Sequence, residues 1–138
     1  MDIRRIDASR IDELWALQRL YKAEIGEAAP EDGAKDRLRE AIDGDRIRFY
    51  GAWEGEALAG CCSVSVGFST FNYLPCGTFE DFYICPEHRH SGIARQLVRF
   101  AARESGVATL TVGCADCDVP MYRSLGFSVL LGNLLALE

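Results

Sequence analysis

The chain has 138 residues, room for one hydrophobic core, and its 49% apolar and 26% charged content is that of an ordinary globular protein. A net charge of −6 argues against nucleic acid as the partner, because a polyanion needs a concentrated basic surface. No apolar run approaches the ~20 residues of a membrane helix, and Met1-Asp2-Ile3-Arg4-Arg5 lacks the apolar stretch of a signal peptide, so a cytosolic protein is expected.

No repeat, low-complexity tract or linker divides the sequence, and residues 1–138 read as one domain. The pattern predicts a strand over 3–6, then a helix with Ser9 as N-cap and Asp12 and Glu13 in a first turn where carboxylates suit the dipole. Ile11, Leu14, Leu17 and Tyr21 recur at helical spacing and mark its buried stripe. Pro30-Glu31-Asp32 opens a second helix running to about residue 42, stopped by Asp43-Gly44. Strands follow over 46–53 and 57–68, joined by a Glu54-Gly55-Glu56 turn. Residues 69–77, with Pro75 and Gly77, read as a loop, and 78–85 as a strand stopped by Pro86.

Residues 92–105 are strongly helical, with Ile93, Leu97, Phe100 and Ala101 on one face and Arg95, Arg99 and Arg103 on the other. A strand over 107–114 follows, then a short helix over 119–125 with Asp118 as its cap and Gly126 as its end. Two last strands over 127–131 and 134–137 complete the order. Antiparallel neighbours followed by a crossover helix call for an α/β (α+β) fold, a central mixed and mostly antiparallel sheet flanked by helices.

The most informative segment runs from Ile84 through Cys85-Pro86-Glu87-His88-Arg89-His90-Ser91 to Gly92-Ile93-Ala94. A strand ends, the chain turns, and a helix opens on small residues. Unpaired N–H groups and the positive dipole end make such a helix N-terminus an anion site, and Gly92 and Ala94 let a phosphate approach the backbone. A turn of this shape with no ligand is the plain alternative; a dinucleotide site is disfavoured because G-x-G-x-x-G is absent.

Arg89, Gly92 and Ala94 form R-x-x-G-x-A, which resembles the acetyl-CoA signature of the GNAT superfamily of N-acetyltransferases. The resemblance implies the GNAT acyl-CoA N-acyltransferase fold and assigns Arg89, His90, Gly92, Ile93, Ala94 and Arg95 to the CoA pyrophosphate. It assigns the backbone of Phe82, Tyr83 and Ile84 to the pantetheine arm, in a gap where their strand parts from the strand over 107–114. Tyr122-Arg123-Ser124-Leu125-Gly126-Phe127 is similar to the Y-x-x-L-G-F motif of the same family, whose tyrosine commonly protonates the CoA sulfur. A phenol with an ordinary pKa near 10 is protonated at neutral pH and can serve as that acid.

Glu80-Asp81-Phe82-Tyr83-Ile84 is similar to the E-D-F-F-V segment of spermidine/spermine acetyltransferases, which implies Glu80 as the base, acting through water. Strand alternation puts Glu80 and Asp81 on opposite faces, leaving Asp81 as an anchor for a substrate ammonium. The family often has an asparagine before the tyrosine that contacts pantetheine; here Ala115 stands there, flanked by Asp116 and Cys117. The resemblance places the acceptor beside Tyr21, Glu24, Glu27, Phe71, Asn72 and Tyr73, an aromatic and acidic set suited to a cationic amine.

The expected activity is direct acetyl transfer from acetyl-CoA to a primary amine in a ternary complex. No nucleophilic cysteine stands out among the six, no metal site is expected, and a backbone N–H near Ile84 would polarise the thioester carbonyl. A non-catalytic acyl-CoA-binding or sensing domain is the alternative, and a redox or metal module on Cys114 and Cys117 is the third reading. Homodimers are common in the family the chain resembles, and the apolar residues 130–137 offer a strand edge for one.

Overall fold

Five strands hydrogen-bond in the order β1-β2-β3-β4-β5 in the computed structural model, which describes Met1–Glu138. They are β1 (Asp2–Ile6), β2 (Ile47–Glu54), β3 (Ala57–Ser69), β4 (Leu74–Ile84) and β5 (Thr109–Thr111). The first four are antiparallel neighbours, and β5 runs parallel to β4. That direction follows from the crossover helix α3 (Ile93–Glu104), which returns the chain to the end where β4 began. The remaining helices are α1 (Ile11–Glu24), α2 (Asp32–Asp43) and the short α4 (Val119–Ser124). This is the mixed, mostly antiparallel sheet with helices that the pattern predicts. No helix is long and apolar enough to cross a membrane.

Strand alternation divides the core between the two faces. Phe49, Trp53, Cys61 and Tyr83 pack with Ile11, Leu14 and Leu17 of α1. Tyr50, Cys62, Val64, Phe79 and Ile84 pack with Ile93, Leu97 and Ala101 of α3. The stripe predicted for α1 is the buried one, with Ile11, Leu14 and Leu17 almost fully covered.

Several local expectations are corrected. Asp7, not Ser9, caps the entry to α1. A 3-10 turn over Ala8–Arg10 comes first, and the Asp7 carboxylate accepts from the Ser9 N–H at 2.9 Å and from its hydroxyl. Asp118 makes no side-chain cap for α4, because it closes a 3-10 turn over Asp116–Asp118 and its own backbone is already helical.

The expected loop over 69–77 is mostly strand. β4 starts at Leu74, and only residues 70–73 turn. Pro75 sits near the end of the hairpin, where its carbonyl accepts from the Ala108 N–H at 2.8 Å. Gly77 is demanded by packing, since a Cβ there would lie 2.6 Å from Val64 Cγ1.

At the other end of the sheet, β5 pairs over only three residues, against the eight expected over 107–114. The strands expected over 127–131 and 134–137 do not form. Val129, Leu130, Leu131, Leu134, Leu135 and Leu137 stay exposed instead. Their apolar pattern suits a strand, but β-propensity expresses packing against a neighbour, and a three-residue β5 offers little edge to join.

Candidate active site

β4 and β5 share only the pairs from Cys76↔Thr109 to Thr78↔Thr111. From Phe79 onward the edge of β4 facing β5 has no strand partner. Its N–H and C=O groups are therefore open to an extended ligand. The parting coincides with a bulge. Cys61 pairs with Tyr83 and Ser63 with Glu80, so Asp81 and Phe82 together oppose the single Cys62. A bulge adds local twist and turns the strand away from its neighbour.

The segment after β4 is built to present backbone N–H groups. A 3-10 turn over Pro86–His88 leads to Arg89, and the Ser91 hydroxyl donates to the His88 carbonyl at 2.5 Å. His90 and Gly92 both take left-handed backbone, at φ 62° and 86°. Such conformations cost about 1–2 kcal/mol for a residue with a side chain, and they gather at functional sites. α3 then begins at Ile93 with no side-chain cap. The N–H groups of Ile93, Ala94 and Arg95 thus lack the partner that a serine or aspartate would supply. Open space surrounds Gly92, where a Cβ would meet nothing within 4 Å. An anion fits this turn.

Side chains of the same turn behave differently from expectation. Arg89, expected on phosphate, and Glu24, expected at the acceptor, are bonded to each other: Arg89 Nη2 meets Glu24 Oε1 at 2.8 Å. Arg89 Nε also donates to the Ile84 carbonyl at 2.8 Å, and its guanidinium lies over the Tyr83 ring. The pair clamps α1 to the turn. Arg95 Nη2 donates to the Ser124 carbonyl at 3.1 Å and braces α4 against α3. With Arg99 and Arg123, which the sequence reading did not assign to the site, Arg95 lines a groove between these helices, floored by Val98, Leu110 and Phe127. The only signal for Arg123 was its place inside the tyrosine motif.

Tyr122 projects from α4 into an aromatic cluster, with ring centres 6.5 Å from Phe79, 6.3 Å from Phe82 and 5.8 Å from Phe127. Burial pushes its phenol up to about 12, and the Tyr21 phenol adds to the effect. Tyr21, from α1, packs on Tyr83 at 6.2 Å, and its pKa is raised by burial and then by the Asp81 charge.

Glu80 and Asp81 do not point to opposite faces, as simple alternation requires. Phe79 and Phe82 both belong to the α3 side, and Asp81 is bonded to Ser63, the neighbour of Cys61 and Cys62 in β3. With the bulge at Asp81 and Phe82, Asp81 stays with Glu80 on the α1 side, where Tyr21 lies. Burial raises the Glu80 pKa above the ordinary carboxylate value, Asp81 raises it further, and Lys22 opposes both.

Phe71 and Tyr73 are not brought to this place. They sit at the exposed tip of the β3–β4 hairpin, where Tyr73 packs on Phe68 at 6.5 Å. Six residues of strand separate Leu74 from Glu80, about 20 Å at the usual rise. The strand's early start, missed from sequence because of Pro75 and Gly77, carries the tip away. Asn72 is spent on the turn, its side-chain Oδ1 accepting from the Leu74 N–H, and Glu27 pairs with Lys22 at 3.3 Å.

The acetyltransferase (GNAT) domain family matches residues 45–129, more than half of the chain. The chain belongs to the GNAT acetyltransferase family. The match takes in the β4 bulge, the uncapped start of α3 and Tyr122.

Streptothricin acetyltransferase of Streptomyces lavendulae is 35% identical over 72% of this GNAT chain. The chain spans about half, 54%, of the length of that relative. An aminoglycoside acetyltransferase from an uncultured soil metagenomic sample, solved with sisomicin, superposes with a TM-score of 0.80 at 15% identity, covering 99% of this chain and 96% of that one. A predicted acetyltransferase from Clostridium acetobutylicum, solved with acetyl-CoA, gives a TM-score of 0.75 at 17% identity, covering 98% and 94%. These structures share the GNAT fold, and GNAT acetyltransferases use acetyl-CoA.

Proposed function

We propose that residues 1–138 act as one acetyltransferase unit that moves the acetyl group of acetyl-CoA to a primary amine on a cationic small molecule, by direct attack in a ternary complex. The observation that carries this reading is the single opening between β4 and β5. The uncapped start of α3 lies at its end, Tyr122 stands on one side, and Glu80 with Asp81 stands on the other. The N–H groups of Ile93, Ala94 and Arg95 would hold the pyrophosphate, and the free β4 edge at Phe82 and Tyr83 the pantetheine arm.

Acetyl-CoA supplies the activated acetyl group. Glu80 accepts the ammonium proton through a water, which frees the nitrogen lone pair to form the new N–C bond. Tyr122, held protonated by its raised pKa, donates a proton to the sulfur as the C–S bond breaks, and the second proton shed by the new amide nitrogen passes through solvent to restore the phenol. Glu80 and Tyr21 together favour a cation at the amine side. Aminoglycosides carry several ammonium groups, and streptothricin is acetylated by the relative named above. An antibiotic-like polyamine is therefore the substrate class this reading favours.

Thiol release from acetyl-CoA in the presence of streptothricin, sisomicin or spermidine tests the reading. Turnover with at least one amine is expected. Tyr122→Phe, which keeps the ring packing, should lower kcat roughly 10²-fold with little change in acetyl-CoA affinity. Acetyl-CoA binding without turnover on any amine would instead favour the sensing domain.

All six cysteines are free thiols, which supports a reducing compartment such as the cytosol. The exposed leucines after Gly126 support a homodimer. Sedimentation velocity should give twice the 15.3 kDa chain mass, and Leu134→Asp with Leu135→Asp should halve it.

A further inference from the structure

Asp81 is the one residue of β4 held at positive φ, 54°, where side chains other than those of asparagine and aspartate are strongly disfavoured. It sits at the bulge, opposite Cys62. Two groups of β3 reach it there. The Ser63 hydroxyl donates to Asp81 Oδ2 at 2.6 Å, and Cys61 Sγ lies 3.4 Å from the Asp81 carbonyl. Ser63 is completely buried among apolar neighbours, so its hydroxyl needs this acceptor. One oxygen of the carboxylate is thus turned back onto the sheet.

We infer that Asp81 is a positioning residue whose bond to Ser63 locks the β4 bulge and so fixes the backbone beside Glu80 and the place its carboxylate takes in the opening. This rests on the reading of Glu80 as the base. Alternation from Phe79 puts Glu80 on the α1 side and would send Asp81 through to the α3 face. The bulge removes that alternation, and the Ser63 bond holds the bulge in one conformation. Asp81 then acts on the reaction through Glu80 and makes no contact with the amine.

Four variants of the full chain separate this role from that of an ammonium anchor, with sisomicin as the acceptor probe. Asp81→Asn keeps both the left-handed preference and an oxygen that accepts from Ser63, so kcat and the amine KM should stay within about threefold of wild type. Ser63→Ala and Asp81→Gly remove the tie, and Asp81→Gly does so while relieving the φ strain. Both should lower kcat roughly 10²-fold, the cost of a base displaced by about 1 Å, with acetyl-CoA affinity unchanged. An amine KM raised tenfold or more in Asp81→Asn, with Ser63→Ala silent, would overturn the inference and make Asp81 the anchor.

Glu80→Gln is the fourth variant. If it keeps full activity, the base assignment fails by itself. A 13C NMR titration of the Glu80 carboxyl needs no turnover and decides the positioning role separately. The charged groups that act on Glu80 are Asp81 on β4 and Lys22 on α1, and Tyr21 of α1 feels the Glu80 charge in turn. Asp81→Asn removes a neighbouring charge that raises the Glu80 pKa, so Glu80 should titrate at lower pH and the acid limb of the rate profile should move down with it. Ser63→Ala leaves every one of those charges in place, so a moved Glu80 titration there reports position alone. An unmoved titration in Ser63→Ala refutes the lock.

Discussion

Gly92→Glu should abolish measurable acetyl-CoA binding in isothermal titration, while Gly106→Glu leaves it intact. Both glycines have positive φ, 86° and 69°, and both have open space where a Cβ would stand. Each variant therefore takes the same backbone penalty, about 1–2 kcal/mol, and the same charge change. They differ in place. Gly92 precedes the first turn of α3, and Gly106 follows its last, roughly 20 Å away along the axis. A glutamate at position 92 sets an anion where the pyrophosphate would sit. Two unit charges about 4 Å apart repel by about 4 kcal/mol at a surface-like dielectric, close to a thousandfold in affinity. Wild-type affinity in Gly92→Glu would remove the turn from the cofactor site.

The second large effect is expected at Glu80. Glu80→Gln should lower kcat by about 10²–10³-fold, the usual range for losing a general base. The pH profile supplies the signature. Burial and Asp81 raise the Glu80 pKa, and a base works only when deprotonated. Wild-type kcat should therefore fall as pH drops through that raised value, and the limb should vanish in Glu80→Gln. Stability separates this from misfolding. A carboxyl with a folded pKa above its unfolded one binds protons more tightly when folded, so it costs stability as pH rises through that window. Glu80→Gln removes the cost, and its melting temperature at pH 7 should be no lower than wild type. Unchanged kcat across the pH range would exclude Glu80 as the base.

Much of this site is local in origin, and local features are legible in a linear sequence. The turn proposed for the pyrophosphate is a strand stop, a left-handed glycine and a small-residue helix start, all within residues 84–94. Tyr122 sits three residues before the Leu125-Gly126-Phe127 end of its own helix, so its motif reads directly. The stripe of α1 and the buried face of α3 follow from helical spacing, and the element order through α4 holds with them.

What sequence patterns could not decide depends on pairing between distant residues. The face of Asp81 is set by a bulge that exists only because β3 and β4 pair out of step around Cys62. Arg89 and Glu24 are 65 positions apart, and only the packing of α1 on the sheet lets them bond. Gly77 reads as a turn residue until Val64 is placed against it, and the strand it belongs to carries Phe71 and Tyr73 to the hairpin tip. The last leucines have a strand pattern and no strand to join. The turn proposed for the pyrophosphate, the helical faces and the acid–base candidates are legible in the linear chain, because caps, turns and periodicities are encoded within a few neighbouring residues. The face each carboxylate takes, and which charged side chains are spent on each other, depend on the tertiary structure, because register and ion pairing join residues whose separation along the chain carries no signal.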